Sequence, residues 1–345
     1  MRIIAGKDIQ SSHWQRFVRR QECFTHDLRW REVYQRAYGL RPYYLAAQDG
    51  PELVGTLPLV RLPGICTQGQ LVSLPFLNHA GVAAVSPEIS TALEQAALRA
   101  AARAKAGSVV LRSRGSQPDE PEATGHGYCQ LIRTLPRDEQ SLWADLRSEK
   151  RTRIRKSWRC GVEIKRDRAL LPVFFKMYQA VMRGFGSPPH SARWFQAIMR
   201  AFAQDVEILV AYRQGIPIAS LLIIMWGDSC HGMWGAGPIA YRKYSPSDGL
   251  YWEAMRLAIE QGKAKFNFGR SIRGGGSYYF KKRYGAVPYQ LRYERLGLDG
   301  SRELLPQQGA GTAFRLWRKL PLTLSNTLGP KVRCYVLPGF GARSL

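Results

Sequence analysis

Apolar positions along the chain follow two rhythms, and where one gives way to the other marks out the elements. Trp30, Val33, Tyr34 and Ala37 fall three and four residues apart, so residues 21–40 read as a helix that Gly39 can end. Apolar runs from Tyr43 to Ala47 and from Leu53 to Val60 flank Asp49-Gly50, the signature of a hairpin. Leu71 to Leu77 reads as a further strand, and Pro75 within it places it at an edge or a bulge. Ser86-Pro87 then opens an alanine-rich helix over 88–106, and Ser108 to Leu111 returns to strand.

The same order comes back later. Val206 to Tyr212 and Ile216 to Trp226 form a hairpin around Gln214-Gly215, and Ser229 to Trp234 follows the turn Gly227-Asp228. Ser245-Pro246 opens a helix over 248–262, and Lys265 to Phe268 is the next strand. Hairpin, strand, Ser-Pro helix, strand thus recur after about 160 residues, too long a period for a solenoid and suited to a duplicated α/β (α+β) domain. The expected division is 1–146, 147–300 and a tail over 301–345.

Composition changes this picture in one respect. The hydrophobic share of 45% is ordinary, but 51 Lys and Arg against 26 Asp and Glu leave a net charge of +25. Such an excess favours anionic partners: nucleic acid, anionic lipid or phosphorylated precursors. Six scattered cysteines without CxxC spacing read as reduced, mostly buried thiols, and no metal site is expected. The N-terminus lacks an apolar signal core, and no uncharged apolar run reaches the length of a membrane span. The expectation is a cytoplasmic protein, at most peripheral at the inner membrane face.

Two stretches concentrate the charge. Residues 261–293 hold eight Lys or Arg and no acid; within them FNFGRSIRGGGSYYFKKRYGA (266–286) passes from a short strand through three glycines to an aromatic and cationic cluster. Bare backbone N–H groups and cations at a strand end suit an anionic ligand, and a solvated basic hairpin has the same composition. Residues 147–168 carry ten Lys or Arg against three acids, with Arg147, Arg151 and Arg155 four apart along one helical face facing phosphate or solvent. The tail mixes Phe314, Trp317, Leu320 and Leu322 with Arg315, Arg318 and Lys319, as a membrane-surface helix or a segment packed on the body would. His26, His79 and His231 read as structural, and Trp226 and Trp234 as core.

In these stretches, together with MRGFGSPPHSARWF (182–195), YSPSDGLYWEAMRLAIEQG (244–262) and WRKLPLTLSNTLGP (317–330), the chain resembles the FemABX family, nearest its FemAB-like branch associated with exosortase/PEP-CTERM systems. Members are aminoacyl-tRNA-dependent peptidyltransferases of tandem GNAT fold. The resemblance implies two GNAT-like acyltransferase domains and transfer of an aminoacyl group from tRNA to a small-molecule or lipid-linked amine, with no cofactor. Phe280-Lys281 matches the family's Phe-Lys pair, so Lys281 would stabilise the oxyanion, with Lys282 the near alternative. Arg183 matches a phosphate-contacting arginine, and Tyr251 a site-facing aromatic. Three departures stand out: Asn267 where the branch has Asp, Asp248 where Asn is common, and no coiled-coil arm.

Aminoacyl transfer from an ester needs orientation and a cation or N–H pair at the oxyanion, and no covalent nucleophile. Candidates are Lys281, Tyr278 and Asp248 for catalysis, with Asp248, a tyrosine or water taking the amine's proton; Arg183, Tyr251, Arg270, Arg273 and Lys282 for substrate; and Arg147, Arg151 and Arg155 for tRNA. Acyl-CoA is the alternative donor. The spacing 271–276 places Ser271 first in what would be its phosphate loop, and an aromatic cluster rather than a clear helix is expected to follow, which weighs against it. A tandem module without activity that binds an anionic polymer or membrane is the second reading.

Overall fold

A computed structural model of the chain describes residues 1–64, 68–115, 117–118, 127–306 and 312–335; Cys66, the tail residues 336–345 and the side chain of Phe314 lie outside that description. The chain first lays down β1 (Arg2–Ala5), α1 (Ser11–Arg20), α2 (Arg29–Tyr38), the hairpin β2 (Pro42–Asp49) and β3 (Glu52–Leu62), β4 (Gln70–Val72), the two-residue β5 (Ala83–Ala84), α3 (Pro87–Arg103) and β6 (Ser108–Arg114). After β7 (Tyr128–Thr134), α4 (Glu139–Asp145) and α5 (Ser148–Arg159), the order begins again. It runs β8 (Val162–Arg166), α6 (Leu171–Gly184), α7 (Ala192–Ala201), β9 (Val206–Arg213), β10 (Ile216–Trp226), β11 (Ser229–Ala236), α8 (Pro246–Glu260) and β12 (Lys265–Ile272). Then come α9 (Gly276–Lys282), β13 (Val287–Gly297), β14 (Arg302–Leu304) and the tail helices α10 (Thr312–Lys319) and α11 (Leu322–Val332).

Local chemistry explains most of these bounds. Ser86 caps α3 by accepting the Ile89 N–H at 3.4 Å, with Pro87 in the first turn. Gly39 ends α2 in the left-handed region, φ 65°. Three expectations need correction. The helix expected over 21–40 begins only at Arg29, because residues 24–26 form a tight 3-10 turn. The strand expected over 71–77 stops at Val72, since Leu74 turns the chain away at φ 37°. The stretch after the glycine run, expected without a clear helix, is the helix α9.

The strands form one sheet in the order β1-β2-β3-β4-β6-β13-β7-β12-β11-β10-β9-β8, with β5 beside β3 and β14 beside β13. Read from either edge inward, the two halves have the same plan, including a parallel pair flanking the Ser-Pro helix: β4 with β6, and β11 with β12. The last strand of each half is exchanged. β7 pairs with β12 and β13 with β6, and the two visitors pair with each other at the centre. The division expected between residues 146 and 147 falls between α4 and α5, and strand pairing crosses it in both directions.

Three apolar cores result. Leu57, Leu59 and Val109 meet Leu93 and Ala97 of α3 on the N-terminal half, and Phe266 and Phe268 meet Met255 and Ala258 of α8 on the C-terminal half. The largest lies between the halves, where Trp14, Trp30 and Tyr34 pack with Trp194, Phe195 and Phe202. Trp226 belongs to it and Trp234 packs against it, as core residues should. Polar groups close the same seam: Asp27 accepts from Trp226 Nε1 at 2.7 Å and from Arg29 Nη2 at 2.9 Å, and Arg29 also binds Asp205.

Candidate active site

The sheet opens where β11 and β12 part. They pair in parallel only from Ser229–Lys265 to His231–Asn267, and the pairing of β12 with β7 slips between Asn267 and Arg270. Gly269 makes the turn in the slip at φ 74°, a conformation that favours glycine. A cavity of about 30 Å³, room for a small polar group or a water or two, lies against this opening. His79, Arg114, Gln130, His231, Gly232 and Asn267 are among its walls.

Its hydrogen bonding fixes one tautomer. Asn267 Oδ1 accepts the Gly269 N–H at 2.9 Å, so the amide Nδ2 faces His231 Nδ1, 3.2 Å away, as donor. Nδ1 must then accept, which puts the ring proton on Nε2, and Nε2 is buried without a partner. His79 Nδ1 and Gln130 Oε1 are likewise buried and unpartnered. The rings stay neutral: burial pulls His231 down to about 3, with the Arg114 cation adding to it, and burial lowers His79 further below its ordinary range. His26 stands apart from this chemistry, its Nδ1 bonded to Thr56 Oγ1 at 2.9 Å, as a core residue. His79 and His231, read from sequence as structural, thus line the opening; the one signal for them was a small residue after each, in NHAG and CHGMWG.

Lys281 approaches the same slip from α9. It is 6% exposed, its Nζ donates to the Arg270 carbonyl at 2.8 Å, and burial pulls its pKa down to about 7, Cys129 raising it and Arg270 lowering it. Arg270 lies over the Tyr128 ring at 4.2 Å and donates to Tyr293 Oη at 3.3 Å. Tyr278 is buried, with Arg273 and Lys282 5.8 and 5.7 Å from its ring centre. Lys281 and Lys282 differ through their positions on a helix, the former inward and the latter half-buried. The helix removes one of the two sequence grounds against a CoA phosphate loop; Ser271 in its first place remains.

The other catalytic candidate is already engaged. Asp248 Oδ1 binds Lys150 Nζ at 2.8 Å and accepts from Tyr284 Oη at 3.1 Å, all in the interior. Lys150 also sits 3.8 Å from the Phe280 ring centre and 4.3 Å from that of Tyr284. Tyr251 joins this aromatic group against Phe268 and Phe280, its hydroxyl pushed up to about 12 by burial.

The equivalent opening in the N-terminal half is filled. Ser73 Oγ accepts the Arg112 N–H at 2.8 Å, and the Arg112 guanidinium donates to the Leu74 and Pro75 carbonyls and to Tyr293 Oη at 3.2 Å. Tyr293 Oη in turn donates to the Asn78 carbonyl at 2.8 Å. Arg112 is 2% exposed, so its side chain and these bonds occupy the space beside β4 and β6.

The remaining candidates lie away from the slip. Arg147, just before α5, and Arg155 on it are exposed, Arg155 over the Trp143 ring at 5.1 Å, whereas Arg151 donates to the carbonyls of Ala144 at 3.1 Å and of Leu146, closing the end of α4. Arg183 donates to the Leu320 carbonyl at 3.3 Å and so holds the tail. Among the described residues no His, Cys, Asp or Glu cluster fits a metal ion, and no helix is long and apolar enough to cross a membrane.

Residues 144–282 match the family model of the acetyltransferase (GNAT) domain. The solved structure of FemX is similar with a TM-score of 0.64 at 14% identity, covering 84% of this chain and 95% of that one. A tandem GNAT protein from the clavulanic acid biosynthesis pathway is similar with a TM-score of 0.55 at 10% identity, over 87% of this chain and 100% of the other. Sequence comparison with curated proteins finds no match. The fold is a FemX-like tandem GNAT fold, as the sequence led us to expect.

Proposed function

We propose that the protein is an N-acyltransferase whose C-terminal half moves an acyl group, first of all an aminoacyl group from aminoacyl-tRNA, onto an amine. The observation that carries this reading is the asymmetry between the halves: the opening beside β4 and β6 is plugged by Arg112, while that beside β11 and β12 is lined by an unpartnered His231 Nε2–H. The GNAT family match falls on that second half.

The chemistry asks little of the protein. The amine nitrogen bonds to the ester carbonyl carbon, the carbonyl oxygen becomes an oxyanion, and the C–O bond breaks as the departing hydroxyl takes up a proton. A neutral N–H at His231 and the Lys281 ammonium are donors for that oxygen, in a site where burial strengthens each bond. Asp248, tied to Lys150 and Tyr284, positions α8, and the proton of the amine passes to water. Arg270, Arg273, Lys282 and Tyr278 form the cationic and aromatic wall around α9 for the donor's phosphates, while Arg147 and Arg155 offer exposed cations to the tRNA backbone.

An acyl-CoA donor is the second reading, favoured by the helix that follows Gly274-Gly275-Gly276. Incubating the protein with charged total tRNA and, separately, with acyl-CoA, each with a panel of amines, decides between them by which donor is consumed. If neither is lost and the protein only binds tRNA, it is a binding module without transferase activity.

A further inference from the structure

The tail helices α10 and α11 form a hairpin laid on α6. Its inner side is pinned: Arg318 donates to the Phe185 carbonyl at 3.5 Å and Arg333 to the Pro188 carbonyl at 2.7 Å. Trp317 Nε1 bonds Ser325 Oγ at 2.9 Å, and a side chain at Gly329 would run into the Pro189 ring. The outer side is different. Leu316, Leu324 and Leu328 are 60%, 49% and 41% exposed, and Leu324 and Leu328 lie one turn apart on α11. Lys319 and Lys331 are exposed beside them, and from Leu304 to Leu345 the sequence contains no Asp or Glu.

We propose that this outer side docks the protein on an anionic lipid bilayer. Clustered exposed leucines need a cover, unlike a single surface leucine. A protein partner is the poorer match, because every charged side chain of this hairpin is a cation, with no acid among them to set the register of a protein interface. Leucines that enter the acyl boundary, with lysines at headgroup level, are the arrangement of an interfacial helix. The tail is thereby both of the things its sequence allowed: packed on the body through one side and facing lipid with the other. The proposal does not depend on which acyl donor is used.

The test is co-sedimentation of the full chain with vesicles of phosphatidylcholine alone and of phosphatidylcholine mixed with phosphatidylglycerol. The wild type should pellet with the mixed vesicles only. A chain of net charge +25 adheres to some degree to any anionic vesicle, so the deciding variant is Leu324→Asp/Leu328→Asp. It should lower the bound fraction at least about fivefold with an unchanged melting temperature, and Lys319→Glu/Lys331→Glu should do the same. Binding indifferent to the leucine pair overturns the proposal. So does sedimentation velocity showing that the leucines hold two copies of the chain together.

Discussion

Lys150 and Asp248 form an ion pair of 2.8 Å between α5 and α8, with side-chain exposures of 2% and 6%. Burial lowers the Lys150 pKa more than Asp248 raises it, so the pair persists because each charge is the other's main compensation. Lys150→Met should therefore cost about 3–5 kcal/mol by stranding the carboxylate, and Lys150→Met/Asp248→Leu should recover much of that loss. Denaturant melts of both variants measure this, and additive losses would show that the two do not act as a pair.

Lys281→Met should lower kcat by about 10²–10³, as for loss of one oxyanion donor, while Lys282→Met costs far less. With its pKa at about 7, the ammonium is lost as pH rises through neutrality, so kcat/KM should fall on the alkaline side of about 7 in wild type. Stability moves the other way. The folded value lies below the ordinary 10.5, so between the two the unfolded chain holds more protons and the lysine's contribution rises with pH. An activity that climbs through pH 7 would make Lys281 a base instead.

His231→Phe removes the unpartnered donor and should lower kcat by a similar factor with KM little changed. Asn267→Ala leaves the ring in place but frees its tautomer. Nitrogen-15 spectra of the histidines should show His231 protonated on Nε2 in wild type and a mixture in Asn267→Ala. A single tautomer in both would remove Asn267 from the arrangement.

Four histidines are held neutral, three of them buried and His79 half-buried: His26 at about 4, His231 at about 3, and His79 and His190 well below the ordinary value of 6.5. As pH falls below about 6.5 the unfolded chain protonates and the folded one does not, so stability falls on the acid side. Each histidine adds up to roughly 1.4 kcal/mol per pH unit until its own folded value is reached. Calorimetry should find the melting temperature dropping steeply between about pH 6.5 and 5, and a flat profile there would mean that these rings are hydrated in the folded protein.

At α5, Arg147→Ser/Arg155→Ser should weaken tRNA binding and flatten its salt dependence by about two phosphates' worth of slope. Arg151→Ser should leave the slope unchanged and lower the melting temperature, because its guanidinium closes α4. Equal slopes in all three proteins would make this face a solvated one.

The repeat could be read from sequence because its markers are local: Asp49-Gly50, Gln214-Gly215 and the two Ser-Pro pairs announce turns and helix starts without reference to anything distant. The strand exchange could not, since YCQLIRT and VPYQLRYERLG specify strands but not which neighbour each takes. The glycines before α9 hid a helix, and α1 was missed although Trp14, Phe17 and Val18 carry the same helical spacing as the apolar residues of α2. At the site, the loop pointed to Lys281 while its burial depended on tertiary packing. Lys150 was hidden among arginines, although Lys150, Ile154 and Ser157, the buried positions of α5, are spaced as one helical face. The unpartnered nitrogens of His79 and His231 arise only where distant segments meet.

The exchange of β7 and β13 also sets an order on synthesis. The edge of β6 is covered by residues 287–297, so a nascent chain that has built its first half leaves the ribosome with that edge bare. It stays so until residues 287–297 have been made, at about 5–20 residues per second. In the cell, the first half is therefore a client for whatever shields exposed strands until its last partner arrives.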